Sequence, residues 1–324
     1  MKGENMLKDL TERILSGGEV FFETEDLKIL MDSDLTELCR SADRLRKYFC
    51  GDHGDLCTII NGKSGRCSED CRFCAQSSYH QTRAEEYAFL PAAEIIKDCK
   101  AQEQKGVHRY SIVTAGKSIG GDDFLKALEA YRGMSAQSSL SLCASHGLLS
   151  HEAFLKLKEN GVNRYHCNLE TSRRFFPQVC STHTYDDKIE NIQRAKKAGL
   201  EICSGGIIGM GETMEDRISM ALDLAGLKVD SIPINVLTPI PGTPLENRQR
   251  LKEEEILRTV AVFRFLNPKA EIRLAAGRNV MEENGRKAFL SGANGAITGD
   301  MLTTSGNKTE GDRQLLIQLG YTLN

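Results

Sequence analysis

The sequence predicts an α/β chain: a TIM-type (β/α)8 barrel behind a helical N-terminal extension. Three observations predict it. Eight short β-like runs follow one another from residue 56 onward. Seven longer amphipathic runs lie between them, several ending in glycine, a helix C-cap signal. The length, 324 residues, suits a barrel of ~250 residues plus an extension. Strict strand–helix alternation over eight units fits a closed parallel barrel better than an open doubly wound sheet.

Residues 1–48 are polar, with Leu7, Leu10, Ile14, Leu35 and Leu38 at helical spacing, and form the expected extension; residues 49–324 form the barrel. The strands are expected at LCTIIN (56–61), RYSIVTA (109–115), LSLCAS (140–145), RYHCNLE (164–170), EICSGGIIG (201–209), SIPINVL (231–237), EIRLAAG (271–277) and NGAITG (294–299). The helices are expected at 91–106, 122–133, 151–161, 184–199, 213–226, 251–266 and 279–292. Apolar residues make up 40% of the chain and charged residues 27%, as in a soluble protein with a sizeable core. A net charge of −3 gives no broad electrostatic footprint for nucleic acid or an anionic membrane. The N-terminus, MKGENMLKDLTERI, carries charges where a signal peptide needs an apolar run, and no stretch approaches the ~20 apolar residues of a spanning helix, so a cytoplasmic protein is expected. Eleven cysteines in such a chain point to metal or redox chemistry more than to disulfides.

Barrel interiors are usually filled with Val, Ile and Leu. Alternate residues of a strand share a face, and one parity here is polar, small or thiol-bearing on strand after strand. It comprises Cys57, Ile59 and Asn61; Arg109, Ser111 and Val113; Ser141, Cys143 and Ser145; His166, Asn168 and Glu170; Cys203 and Gly205; Ser231, Pro233 and Asn235; and Arg273 and Ala275. This is an interior built to hold ligands, although a buried thiol taken singly is more often plain packing.

Immediately after the first strand comes NGKSGRCSEDCRFCAQSS, with Cys67, Cys71 and Cys74 spaced C-x3-C-x2-C. Thiolates select zinc or iron–sulfur clusters. Structural zinc wants four protein ligands, and the loop supplies three, so a zinc site would have to be completed from elsewhere. A cubane on three cysteines leaves one iron open. The spacing and position resemble those of radical S-adenosylmethionine enzymes, in which the open iron of a [4Fe–4S] cluster chelates S-adenosylmethionine; Phe73 would then pack near its adenine.

From about residue 50 onward the chain resembles the biotin synthase family. The resemblance rests on YHCNLETS (165–172), CSGGIIGMGET (203–213), SIPINVL followed by GTPL, IRLAAGR and GANGAITGDMLTT (292–304), in the family's order. It implies a radical-SAM barrel, commonly a homodimer, that inserts sulfur between C6 and C9 of dethiobiotin to form biotin. It implies a low-potential electron donor, flavodoxin or ferredoxin, and a system that assembles clusters and supplies sulfide. By resemblance, Cys67, Cys71 and Cys74 hold the [4Fe–4S] cluster. Asn168 and Glu170 meet the ribose, with Glu170 in place of an aspartate, and Asn168 also approaches the substrate. Gly205, Gly206 and Ile207 lie beside adenine. Asn235 meets the ureido group of dethiobiotin, and Thr303 and Thr304 its carboxylate. His183 stands where an arginine would meet the methionine carboxylate.

The family's second cluster, a [2Fe–2S], takes ligands from strands two, three and five and from an arginine. Cys143, Cys203 and Arg273 match three of these; Ser111 replaces the strand-two cysteine, while Cys57 replaces a serine on strand one. Cys57 lies ~13 Å below Asn61 at the strand top, a depth that suits a buried second site. Cys57, Cys143 and Cys203 are therefore expected to hold the auxiliary cluster. A four-iron form with an extra sulfide, as in variant biotin synthases of anaerobes, would make Arg273 a hydrogen-bond donor to sulfide and not a ligand, with Arg109 acting likewise. Cys39, Cys50, Cys99, Cys167 and Cys180 read as ordinary thiols. Competing functions are a hydrogenase-maturase-like or methylornithine-synthase-like radical-SAM enzyme, and a zinc or iron–sulfur binder without catalysis.

Overall fold

The computed structural model describes residues 2–17 and 21–323. Three helices come first, α1 (Lys2–Leu15), α2 (Thr24–Asp32) and α3 (Leu35–Cys50). The Asp34 carboxylate caps α3 by accepting from the amides of Thr36 at 2.9 Å and Glu37 at 3.1 Å. The buried face of α3 (Leu38, Ala42, Leu45) packs on α9 (Glu253–Leu266).

The strands are β1 (Asp55–Lys63), β2 (Arg109–Thr114), β3 (Ser141–Ser145), β4 (Val162–His166), β5 (Glu201–Cys203), β6 (Gly206–Ile208), β7 (Ser231–Val236), β8 (Glu271–Leu274) and β9 (Gly295–Thr298). All pair in parallel in the order β5-β4-β3-β2-β1-β9-β8-β7-β6, and a β5–β7 pairing closes the ring. Counting β5 and β6 as one interrupted strand, the fold is an eight-stranded parallel barrel. The fifth strand, expected unbroken over 201–209, breaks for a local reason. Cys203 pairs with Ser231 and Gly206 with Ile234, which puts Pro233 opposite Gly205. Proline has no N–H to give the ladder. A Cβ on Gly205 would lie 2.0 Å from the Pro233 carbonyl oxygen, so only glycine passes there.

Helices α4 (Ala92–Gln104), α5 (Gly121–Gln137), α6 (His151–Glu159), α7 (Tyr185–Lys197), α8 (Met214–Gly226) and α9 follow successive strands as expected. The seventh expected helix, 279–292, is instead two 3-10 turns and the short α10 (Arg286–Phe289), because Glu283 and Asn284 take positive φ of 46° and 54°. A helix that the sequence pattern did not announce, α11 (Thr309–Gln318), closes the chain and is tied down by the buried Arg278–Asp312 ion pair at 2.5 Å.

The outward parity of the strands forms the core against the helices: Ile112, Ala144, Tyr165, Ile202, Ile232 and Ile272 are all fully buried. One polar brace crosses this layer. The Tyr131 hydroxyl on α5 donates to the Cys143 carbonyl at 3.2 Å and meets His146 Nε2 at 2.8 Å, while Thr114 Oγ1 meets His146 Nδ1 at 3.0 Å. Burial lowers the His146 pKa from 6.5 to about 3, so the folded state wants the neutral imidazole. Stability from this group is full above pH 6.5 and is lost as pH falls toward 3. Urea unfolding at pH 7.5 and 5.5 is expected to show a loss of up to ~1.4 kcal/mol per pH unit, flattened in His146→Gln.

Candidate active site

The barrel encloses a cavity of about 340 Å³. Cys57, Ile59, Arg109, Ser111, Val113, Cys143, Ser145, His166, Asn168, Glu170, Cys203, Ile207, Pro233, Asn235 and Arg273 line it, so the polar parity faces inward on every strand from β1 to β8. The pleat is lost past β8, where Ala276 and not Ala275 lines the cavity. Asn61 stands at the strand top outside this lining, its Nδ2 donating to the Leu302 carbonyl at 3.3 Å.

The floor lies at the N-terminal ends of the strands. Arg273, almost wholly buried, donates from Nη1 to Asp55 at 2.9 Å, from Nη2 to Glu271 at 2.7 Å and from Nε to Ser231 at 3.2 Å. Arg109 donates to Asp55 at 3.0 Å, and Arg164 to Glu201 at 2.9 Å and Glu271 at 2.7 Å. Burial works against the Asp55 charge, but Arg273 and Arg109 hold its carboxyl well below the usual carboxylate range.

Just above this floor stand three buried thiols. In the strand register Cys57 faces Arg109, Cys143 faces Ser111 and Arg164, and Cys203 faces His166. The Cys57 thiol donates to the Thr58 carbonyl at 3.6 Å; the neighbouring Cys143 and burial raise Cys57, while Cys57, with Arg164, Arg109 and Arg273 nearby, brings Cys143 down to about 7. Burial opposes ionisation of Cys203, yet His166, Arg273 and Arg164 lower its pKa. All eleven cysteines are free, so these thiols are available as ligands.

The upper tier is the loop after β1. Gly65 (φ 80°) and Arg66 (φ 49°) turn the chain, and a Cβ on Gly65 would lie 2.5 Å from Glu86 Cγ. The Gln76 side chain accepts from Ser64 Oγ and the Gly65 amide, both at 3.1 Å, and the Cys67 amide donates to the Gln76 carbonyl at 2.9 Å. Cys74 and Phe73 line the cavity; Cys67 and Cys71 are half-buried in the same loop. Burial pushes Cys74 up to about 11.

Asn168 and Glu170 lie beyond β4, with Asn168 Oδ1 accepting from the Gly205 amide at 3.0 Å. Glu170 holds a positive φ of 71°, strain worth about 1–3 kcal/mol that such sites keep when the surroundings enforce it. Here the enforcement is a bridge to Gly206: the Ile207 amide donates to the Glu170 carbonyl at 2.9 Å. Burial raises the Glu170 carboxyl. Asn235 lines the cavity with much of its amide committed, Nδ2 to the Gly206 carbonyl at 3.1 Å and Oδ1 to the Ala276 amide at 3.2 Å. Met301, Leu302, Thr303 and Thr304 line the opposite rim.

Several positions differ from what the sequence led us to expect. His183 does not line the cavity; its Nδ1 faces Glu69 at 2.6 Å and Cys180 at 3.3 Å. Lys188, in the first turns of α7, lines it instead, and among the described residues its ammonium has no hydrogen-bond partner. Cys180, expected to be an ordinary thiol, sits beside Cys71, and its Sγ donates to Asp70 Oδ1 at 3.1 Å; the neighbouring Cys71 and His183 lower the Cys180 pKa, while Cys180 and burial raise Cys71. Arg164 also enters the cavity unheralded, although it shares the parity of His166.

The Radical SAM superfamily matches residues 63–224, and the Biotin and Thiamin Synthesis associated domain matches residues 233–322. A biotin synthase of Alkaliphilus metalliredigens is 57% identical over 317 residues, 98% of this chain and 99% of that one. The chain belongs to the biotin synthase family. A biotin synthase of Clostridium beijerinckii is 55% identical over 98% of this chain and 100% of that one. Among solved structures, a methylornithine synthase superposes with a TM-score of 0.82 at 20% identity, covering 97% of this chain and 96% of that chain. A maturase of the [FeFe]-hydrogenase gives 0.82 at 16%, over 98% of this chain and 75% of that chain. These two show a shared fold; the biotin synthase relatives carry the family. A biotin synthase is a radical-SAM enzyme with a [4Fe–4S] cluster and S-adenosylmethionine, and the donor set fits: three thiols in one loop, and an unpartnered ammonium and a carboxylate on the adjoining cavity wall. No described helix is long and apolar enough to cross a membrane.

Proposed function

We propose that this member of the biotin synthase family inserts sulfur into dethiobiotin at C6 and C9, in a cavity that stacks two tiers of three thiols. That stacking is the observation that carries the reading. Cys67, Cys71 and Cys74 would hold the [4Fe–4S] cluster. With S-adenosylmethionine bound, it supplies the carbon radical that removes hydrogen from unactivated C–H bonds.

The chain's own work is to bind, orient and exclude water. Lys188 offers its free ammonium to the methionine carboxylate, the role that His183 was expected to fill. A lysine is charged throughout the physiological range, whereas a histidine is charged only below its pKa. Glu170 accepts from the ribose hydroxyls, with its anion steadied by Asn168, which donates to it at 3.4 Å. Phe73 and Ile207 flank adenine, and Gly205 and Gly206 let the fifth strand come close to it. Asn235 keeps one amide N–H for the ureido carbonyl, and Thr303 and Thr304 receive the dethiobiotin carboxylate.

Cys57, Cys143 and Cys203 would hold the auxiliary cluster that supplies sulfur. The hydrogen bonds of Arg273 favour the four-iron form. An arginine bound to iron needs a nitrogen free of its donor role, and here Nε, Nη1 and Nη2 all donate to Ser231, Asp55 or Glu271. Arg273 thus acts as a fixed positive charge beneath the thiols, and the three cysteines of a four-iron cluster would leave its fourth iron for a sulfide. Membership of the family supports, as part of the same proposal, flavodoxin or ferredoxin as electron donor, an assembly and sulfide source, a homodimer and a cytoplasmic setting.

The test is anaerobic, reconstituted protein given reductant, S-adenosylmethionine and dethiobiotin. Biotin is expected, with 5′-deoxyadenosine formation stimulated by dethiobiotin. Release of 5′-deoxyadenosine that is indifferent to dethiobiotin, with no sulfur gained, overturns the assignment.

A further inference from the structure

Among the described residues, one group of side chains converges as the ligands of a single metal ion do: Cys71, Cys180 and His183, whose ligand atoms all lie within 4.8 Å of one another. The sulfurs of Cys67 and Cys74 are not part of it. A tetrahedral zinc-type ion bonds sulfur at ~2.3 Å and imidazole nitrogen at ~2.0–2.1 Å, which places its ligand atoms ~3–4 Å apart. Cys180 Sγ and His183 Nδ1 already stand 3.3 Å apart. Glu69 Oε2 lies 2.6 Å from His183 Nδ1, a hydrogen bond that the imidazole would give up on binding an ion.

The group is held in place from both sides. Asp70 accepts from the backbone amides of Ser181 at 2.9 Å and Thr182 at 3.3 Å, and from the Ser181 hydroxyl, which fixes the stretch between Cys180 and His183. Thr184 then opens α7 with a reciprocal cap to Asp187. On the other side, the Arg72 amide donates to the Val179 carbonyl at 3.0 Å and His80 Nε2 meets the Cys71 carbonyl at 3.0 Å. Residues 71 and 180 thus come from two segments that are already docked.

We propose that, before its cluster is assembled, the chain binds one thiophilic divalent ion of the zinc class through Cys71, Cys180 and His183, with water as the fourth ligand. Binding releases to solvent whatever protons the two thiols still hold and changes no oxidation state. The ion occupies Cys71, so the single-ion site and the cluster exclude one another, and cluster assembly has to displace it. That exclusion rests on the reading of Cys71 as a cluster ligand; the site itself does not.

The test uses full-length chain, stripped of metal and reduced under anaerobic conditions, titrated with cobalt(II) and followed by thiolate-to-cobalt charge-transfer absorbance. Cys180→Ser and His183→Ala are each expected to weaken one equivalent of binding at least tenfold, while Cys67→Ala and Cys74→Ala keep it. Cys180→Ser retains a hydroxyl for Asp70, which guards against simple misfolding. If that equivalent survives Cys180→Ser and disappears in Cys67→Ala, the loop trio is the site and the proposal fails. In a second arm, one equivalent of zinc is added before iron and sulfide. Iron incorporation should slow at least tenfold in the wild-type chain and not in Cys180→Ser; equal slowing in both overturns the exclusion. Zinc-free chain that never gains iron at the Cys67–Cys74 loop would instead sink the cluster reading, and would leave the cobalt result standing.

Discussion

Replacing Cys203 with serine is expected to stop biotin formation while S-adenosylmethionine is still cleaved. Cys203 ends β5 deep in the barrel, whereas Cys67, Cys71 and Cys74 sit in the loop beyond the top of β1, so one tier can be emptied without touching the other. A serine hydroxyl is a poor iron ligand where a thiolate was. Iron should fall from about eight to about four per chain if the deep cluster has four irons. Biotin should fall at least ~100-fold, the upper range for losing even a supporting contact at a metal site. Iron analysis with Mössbauer spectroscopy and a 5′-deoxyadenosine assay read the three quantities together. Six irons in the wild-type chain with a two-iron spectrum would remove the four-iron assignment, and undiminished biotin would remove Cys203 from the sulfur-donating site.

The second large effect is on stability. Asp55→Asn keeps the shape of the floor and removes the anion that Arg273 and Arg109 share. Breaking a buried pair from one side typically costs ~3–5 kcal/mol, because the remaining charge stays buried without its partner. A melting temperature lower by roughly 4–7 °C is expected at pH 7.5 for a chain of this length. The sign with pH follows from the depressed Asp55 pKa: its contribution is complete above the ordinary carboxylate range and fades as pH falls below it, so the wild-type and variant curves should draw together in acid. Asp55→Asn combined with Arg273→Met removes both charges and should recover much of the loss. A melting temperature unmoved in the single variant would show that Glu271 and Glu201 neutralise the floor without Asp55.

What the sequence disclosed follows the reach of the physics involved. The C-x3-C-x2-C loop is legible because its three thiols are neighbours in the chain. The inward parity of Cys57, Cys143, Cys203 and Asn168 is legible because strand pleating has period two and needs no tertiary knowledge. Lys188 was not legible: on a helix pattern a lysine is ordinary surface, and only the docking of α7 turns it toward the cavity. His183 and Cys180 failed for a related reason, since their partners Glu69 and Cys71 are more than a hundred residues away and meet them through loops. The gap in the fifth strand was hidden because the proline that interrupts it belongs to another strand. The missing helix at 279–292 had a local warning in Glu283-Asn284-Gly285, where asparagine and glycine tolerate left-handed backbone.

The arginine–carboxylate floor also dictates an order of traffic. With the strand beginnings closed by Arg109, Arg164, Arg273 and their carboxylates, the deep thiols are reached from the loop end of the barrel. Such a vessel fills and empties like a stack: what belongs at the bottom has to go in first, and what sits at the top has to leave before it can be replenished. If the deep thiols hold the sulfur-donating cluster, as proposed, its iron and sulfide would have to enter before the substrate, and each round of sulfur renewal would wait until the product had cleared the way.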